Sequence, residues 1–414
     1  MNNLTNDLTA SSPTMSKSRR LWMGIILGAL SAFGPLSIDM YLPSLPILTK
    51  DLHTSTSLAQ FSLTACLLGL AVGQLVAGSQ SDIRGRRIPL LVGLVSYTIA
   101  SLLCALSPSI GGLILLRFIQ GFAGAAGMAI SRAVVRDLYS GSEMIKFFSL
   151  LMMINGVGPI FAPIIGGQLL QFTSWRGVFL VLSLVGIVML LTVFFTLPET
   201  LPLQGRSPAG LKNTLATFRS LVSDRVFMGY ALPQGLVMAA MFAYISGSPF
   251  VIQNIFGVSP QMFSLFFAIN GVGIIIATQI TGRLASRIHG TKLFLGGLVL
   301  TSIGGISLLI MILIGAGLAA ILLPLFVVVS SVGVVSTAGS ALAMENYGHS
   351  AGSASALLGL FSFVIGAIVA PLVGLGGGNT AVPMGIVIAV TGVAALLCYL
   401  ILRRRIVRTT LASL

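Results

Sequence analysis

Asp39 and Arg117 are the two charged side chains that fall well inside the long apolar stretches of this 414-residue chain. Placing an arginine near a bilayer centre costs about 2.5–3.5 kcal/mol even on lenient insertion scales, so Arg117 is expected to face a polar interior. A guanidinium that only satisfies helix carbonyls is the plainer alternative. Asp39 lies in the run Ser37-Ile38-Asp39-Met40-Tyr41-Leu42-Pro43-Ser44-Leu45-Pro46. Burial favours the protonated carboxyl, whereas a nearby cation favours the ionised one. Asp39 beside Arg117 would therefore make a site that exchanges a proton near neutral pH. A helix-end acid already in outer water is the competing reading.

Gln120, Asn155, Gln234 and Asn270 offer uncharged hydrogen bonding within the same apolar stretches, and Tyr41, Phe61, Phe242, Tyr244, Phe266 and Phe361 offer aromatic surface for a cavity. Aromatic residues in such stretches more often face lipid or core than a ligand. Cys66, Cys104 and Cys398 stand far apart without a CxxC pair, and His53, His289 and His349 are scattered over loops. That spacing suggests neither a metal site nor a disulfide frame. No HExxH, nucleophile elbow or P-loop is present, so enzymatic chemistry is not expected.

The elements that must position these groups are membrane helices. The chain is 56% hydrophobic and 8% charged, a balance foreign to soluble domains. Runs of about 20 apolar residues cross a bilayer. Twelve are expected: 21–43, 57–79, 88–106, 109–130, 147–171, 175–197, 226–248, 262–284, 293–315, 318–340, 353–375 and 380–402. The fold class is thus all-α membrane protein, with a first bundle over 17–200 and a second over 225–402. A polar tail (1–16), expected to be disordered, a central loop (201–224) and a basic tail (403–414) flank them. Lys17, Arg19 and Arg20 precede an apolar run too long for a signal peptide, so the first span is expected to stay uncleaved. Of the 23 Lys and Arg residues, all but Lys50, Arg176 and the embedded Arg117 fall on one side. Basic loops stay cytoplasmic, which would put both termini inside. The net charge of +14 is therefore read as a topology signal facing anionic lipid, not a nucleic-acid surface.

The turn after span two reads Gly78-Ser79-Gln80-Ser81-Asp82-Ile83-Arg84-Gly85-Arg86-Arg87. It resembles the loop signature of the major facilitator superfamily, with Ile83 where that signature usually places its first arginine. The resemblance implies a conformational latch between two halves, made by Gly78, Asp82, Arg84, Gly85, Arg86 and Arg87. Arg117-Phe118-Ile119-Gln120-Gly121 resembles the span-four signature of proton-coupled members. Gly158-Pro159-Ile160-Phe161-Ala162-Pro163-Ile164-Ile165-Gly166-Gly167 resembles the span-five signature of antiporters, with Ala162 in place of its first glycine. There the resemblance implies a bend formed by Gly158, Pro159, Ala162, Pro163, Gly166 and Gly167 that seals the pathway. Physically, closely spaced Pro and Gly give a flat surface for another helix.

Ser37–Pro46 and Ala351-Gly352-Ser353-Ala354-Ser355-Ala356-Leu357-Leu358-Gly359 are similar to segments of the bicyclomycin-resistance (Bcr/CflA) group of drug:proton antiporters. Trp175-Arg176 and Leu197–Thr200 add to that likeness, and Trp175 suits an interface anchor. The resemblance implies two six-helix bundles with alternating access. It also implies a monomeric bacterial inner-membrane exporter of amphipathic drug-like molecules, driven by protons through Asp39 and Arg117 without a cofactor. An exporter of a sugar or amino acid on the same fold, and a non-transporting receptor or scaffold, are the alternatives. Sodium coupling stays open, since one carboxylate suits either ion.

Overall fold

The computed structural model describes residues 17–139, 141–206, 218–345, 347 and 351–412. The N-terminal tail expected to be disordered, much of the central loop with Lys212, and His349 lie outside the described residues. Twelve helices are long and apolar enough to cross a membrane, and among the described residues there is no strand. The protein is a multi-pass membrane protein.

Span one is longer and more broken than its apolar run suggests. It comprises Lys17–Ser31, Phe33–Asp39, a 3-10 turn Leu42–Ser44 and Leu45–Asp51. Pro43 and Pro46 each open one of the last two segments, because a proline lacks the N–H that a helix interior requires but its first turn does not. Asp39 is therefore the final residue of a short helix at a break. Span two (Thr56–Arg84) ends at Gly85, whose φ of 91° is a conformation that side-chain-bearing residues avoid. Span four (Ile110–Leu138) starts on the Ser109 cap. It reaches further than expected, so that Arg132 joins Arg117 within it. Span seven (Arg225–Pro249) runs on into a π-helix, Phe250–Ile255. Span twelve and the basic tail as far as Ala412 form one helix, Val382–Ala412.

Packing without a hydrophobic gradient depends on close backbone approach. A Cβ on Gly121 of span four would collide with the Cys66 carbonyl of span two, and one on Gly69 with the Phe118 carbonyl. Spans two and four therefore interlock. On the side of the protein remote from its termini, here the far face, both halves contribute to one apolar core that includes Tyr41, Leu63, Tyr244, Phe250 and Phe263.

Three hydrogen bonds cross between the halves among the described residues, all near this face. Gln60 Nε2 donates to the Ser246 carbonyl (3.0 Å) and Gln253 Nε2 to the Pro43 carbonyl (3.2 Å). Gln261 Nε2 donates to the Gly167 carbonyl (2.8 Å). Towards the terminal face the contact thins: Leu75 of span two still packs on the cluster around Leu357, but other positions open. Gly78 sits five helical turns from Gln60 on the same stripe of span two, yet a Cβ there would meet nothing within 4 Å. The same contrast holds on span five (Gly141–Leu169): a Cβ on Gly167 would press on Ser264 of span eight (Pro260–Leu284), whereas one on Gly156 would meet nothing within 4 Å. The molecule is a wedge closed at the far face and splayed towards its termini.

Candidate functional site

Arg117 is fully buried within the first half. Its Nη2 donates to the Ser37 carbonyl (2.8 Å), and Nη1 donates to Gln120 Oε1. The guanidinium carbon lies 4.9 Å from the ring centre of Tyr41 and 5.5 Å from that of Phe179. Two hydrogen bonds and two aromatic faces offset the cost of an embedded cation. Nε alone has no partner. Gln120 passes the network to Ser101 Oγ (2.7 Å), and the Tyr97 hydroxyl reaches Ser37 Oγ (2.8 Å). Tyr41 and Gln120 therefore belong to this packed network rather than to a cavity wall. The Tyr41 hydroxyl is taken up by Ser62 Oγ at 3.0 Å.

Asp39 does not join this network, which corrects the expected Asp39–Arg117 contact. Ser37 faces Arg117 and Tyr97, and two residues turn a helix by about 200°. Asp39 is thus carried to the opposite side, towards the second half. It is 5% exposed and makes no ion pair among the described residues. Its charge is within electrostatic reach of Tyr244 on span seven. Asn270 Nδ2 donates to the Tyr244 hydroxyl at 2.9 Å, and Tyr244 stacks on Phe267 at 5.3 Å. Tyr244 and Asn270 thus form a buried polar pair of the second half, with Asp39 on span one near enough for its charge to act on the Tyr244 hydroxyl.

The other expected cavity residues disperse. Asn155 donates to Ser31 Oγ (3.2 Å) and to the Leu151 carbonyl (2.8 Å). Gln234 donates to Ser340 Oγ (3.2 Å), while its own Oε1 is buried without a partner. Phe242 packs under Gly366 and beside Phe363, Phe266 rests on the shared core, and Phe361 packs with the terminal-face cluster of the second half. Phe61 is exposed.

The loop after span two forms a charge cluster confined to the first half. Arg86 is buried and donates from Nε to Asp137 Oδ2 (2.7 Å), from Nη1 to Asp82 Oδ1, and from Nη1 to Ser81 Oγ (2.9 Å). Glu199 accepts from the backbone N–H groups of Arg86 (2.8 Å) and Arg87 (3.1 Å). A Cβ on Gly85 would strike Glu199 and Arg206, which explains the glycine. Burial would raise the Glu199 pKa, but the N–H groups of Leu201, Arg86 and Arg87 and the Arg206 charge hold it below the usual carboxylate value. Arg84 is exposed. The implied latch partners thus bind spans two, three and four to the segment after span six, and no bond of theirs reaches the second half among the described residues. Asp137 was missed by sequence reasoning. Its one visible signal was an acid at the end of span four beside Arg136.

In span five, Gly158 and Gly166 face span one. A Cβ on the first would meet Pro35, and one on the second the Met40 carbonyl. Pro159 and Pro163 lie within the continuous helix, and Ala162 and Pro163 are buried. Trp175 is not an interface anchor. It is fully buried, donates from Nε1 to Asp51 Oδ2 (2.8 Å), and carries Arg176 4.2 Å above its ring.

The family model described as Major Facilitator Superfamily matches residues 21–371. The chain is 48% identical over 382 residues to an uncharacterized MFS-type transporter, YdgK, of Bacillus subtilis, covering 92% of this chain and 95% of that one. It is 32% identical over 381 residues to the bicyclomycin resistance protein homolog of Haemophilus influenzae, covering 92% and 96%. Among solved structures, a bacterial homolog of the human lysosomal transporter Spinster superposes with a TM-score of 0.78 at 15% identity, covering 94% of this chain and 98% of that one. With twelve helices, a wedge between two halves and a family match across most of its length, the chain belongs to the Major Facilitator Superfamily of transporters.

Proposed function

We propose that the protein is a secondary active exporter of amphipathic drug-like molecules that exchanges cargo for protons by alternating access. Asp39 carries the reading: it is a buried carboxylate without a counter-ion among the described residues, on the side of span one turned towards the second half. Taking up a proton from the far side disfavours bound cargo and aids its release; losing the proton towards the terminal side restores affinity. The gradient supplies about 2.3 kcal/mol per charge per 100 mV, plus the pH difference.

Arg117 acts as a positioning residue in this scheme. It ties the backbone two residues before Asp39 to span four, so a change at Asp39 is transmitted through span one. The span-five glycines give span one a smooth track. The far-face glutamines close one end of the path, and the charge cluster around Arg86 stiffens the first half as a rigid body. The basic loops favour both termini in the cytoplasm of a bacterial inner membrane. The similarity to a bicyclomycin resistance protein homolog supports drug-like cargo.

Expression in a bacterial host stripped of its own exporters tests this reading. Raised inhibitory concentrations for several unrelated amphipathic antibiotics are expected. Unchanged susceptibility with increased release of an amino acid or sugar would replace it with metabolite export.

A further inference from the structure

We infer that Arg132 and Gln74 form an anion-recognition site on the terminal side of the central wedge, and that the cargo carries a carboxylate. This inference rests on the transport reading and deepens it. Arg132 lies in span four, fifteen residues beyond Arg117 or about 22 Å along the helix. It is half-buried, and its Nε donates to the Met128 carbonyl while Nη2 donates to Gln74 Oε1, both at 3.1 Å. No carboxylate pairs with it among the described residues, although Asp137 lies only about five residues, or 7.5 Å, further along the same helix. A guanidinium has five N–H donors, and Nη1 has no protein partner among the described residues. Gln74 accepts from Arg132 with its carbonyl oxygen, and its amide N–H groups have no partner among the described residues either. Spare donors of two side chains therefore lie together here, and an ionisable group inside a membrane protein marks a functional site by default.

The site faces the wedge rather than lipid. Gln60 of span two meets the second half; at about 100° per residue Gln74 lies about 40° around the helix from that stripe, whereas Val72, 43% exposed, lies about 120° from it. The flanking residues fix the direction. Gly73 abuts Phe122 and Ala125 of span four, and Leu75 packs on the second-half cluster of Phe218, Leu221 and Leu357. Gln74 therefore points between them into the parted region, where Arg132 meets it. A planar carboxylate would accept from Arg132 Nη1 and the Gln74 amide together, a geometry suited to the guanidinium fork. Asp39, deeper in the wedge, would meet the remainder of the cargo.

Fluorescence titration of the purified, detergent-solubilised protein with dansyl-phenylalanine and its neutral amide tests the site without requiring any gradient. Wild type is expected to bind the acid roughly tenfold or more tightly than the amide, the worth of one charge-assisted hydrogen bond. R132Q brings the two affinities together, R132K keeps part of the preference, and Q74L lowers it. R132K also guards against a folding defect in R132Q. Equal binding of both probes by wild type, no binding of either, or a preference surviving in R132Q overturns the inference. Abolition of the preference by added phosphatidylglycerol, but not phosphatidylcholine, would give the site to lipid headgroups and also overturn it. Intact preference with no proton-driven transport would instead count against the exporter reading alone.

Discussion

Replacing Gln60, Gln253 and Gln261 together by methionine removes the three side-chain hydrogen bonds that join the halves at the far face, while keeping side-chain length. Each neutral bond contributes roughly 0.5–1.5 kcal/mol net. The three sit on separate helix segments, so their effects should add, to about 1.5–4.5 kcal/mol. Each 1.4 kcal/mol is tenfold in an equilibrium, so the far-closed state should lose roughly ten- to a thousandfold in relative population. Spin labels at Gly156→Cys and Gly282→Cys read the change, because an added Cβ meets nothing within 4 Å at either position. Cys398 is replaced first, whereas Cys66 and Cys104 are buried. Distance distributions in nanodiscs should shift towards a shorter 156–282 separation as the terminal side closes. An unchanged distribution in the triple variant would refute the idea that these bonds hold the far face shut.

Two further outcomes follow from local geometry. Gly166→Val should lower the thermal unfolding temperature in detergent and impair membrane accumulation, because its side chain would run into the Met40 backbone, which cannot rotate away; overpacking of this kind costs about 1–3 kcal/mol or more. Gly156→Ala, in open space, should leave both unchanged. Glu199 has a folded-state pKa below its ordinary value of 4.5, so its contribution to stability is present above about pH 4.5 and lost as pH falls through the lowered value. Unfolding temperature should therefore drop on acidification in wild type, and Glu199→Gln should be less stable at neutral pH with a flatter acid limb.

The twelve spans were legible because a bilayer demands runs of about 20 apolar residues, a signal that tertiary context rarely overrides. The burial of Arg117 was legible for the same reason: an embedded charge needs an explanation. What Arg117 touches was not. Arg117 bonds the Ser37 carbonyl, but a two-residue offset in helix phase turns Asp39 the other way, and which face of span one meets span four is a matter of tertiary packing. Arg132 escaped notice because the apolar run of span four fades near residue 130 while the helix continues to Leu138. The Arg86–Asp137 pair joins residues 51 apart in sequence, and a single sequence offers no cue to it. Trp175 was misplaced because tryptophan favours membrane interfaces in general, whereas here an Asp51 partner lets it be buried. Gln60, Gln253 and Gln261 were not singled out in the sequence, because their role depends on carbonyls from the other half.

The engine of the cycle rests on Asp39, and simultaneous recording of proton and cargo flux in reconstituted vesicles tests it most directly. Wild-type protein should accelerate cargo movement when a pH gradient is imposed and move protons in the opposite sense. Asp39→Asn should reconstitute normally and still exchange cargo at equilibrium, yet ignore the gradient and carry no protons. Gradient-driven transport with coupled proton flux in Asp39→Asn would contradict the mechanism.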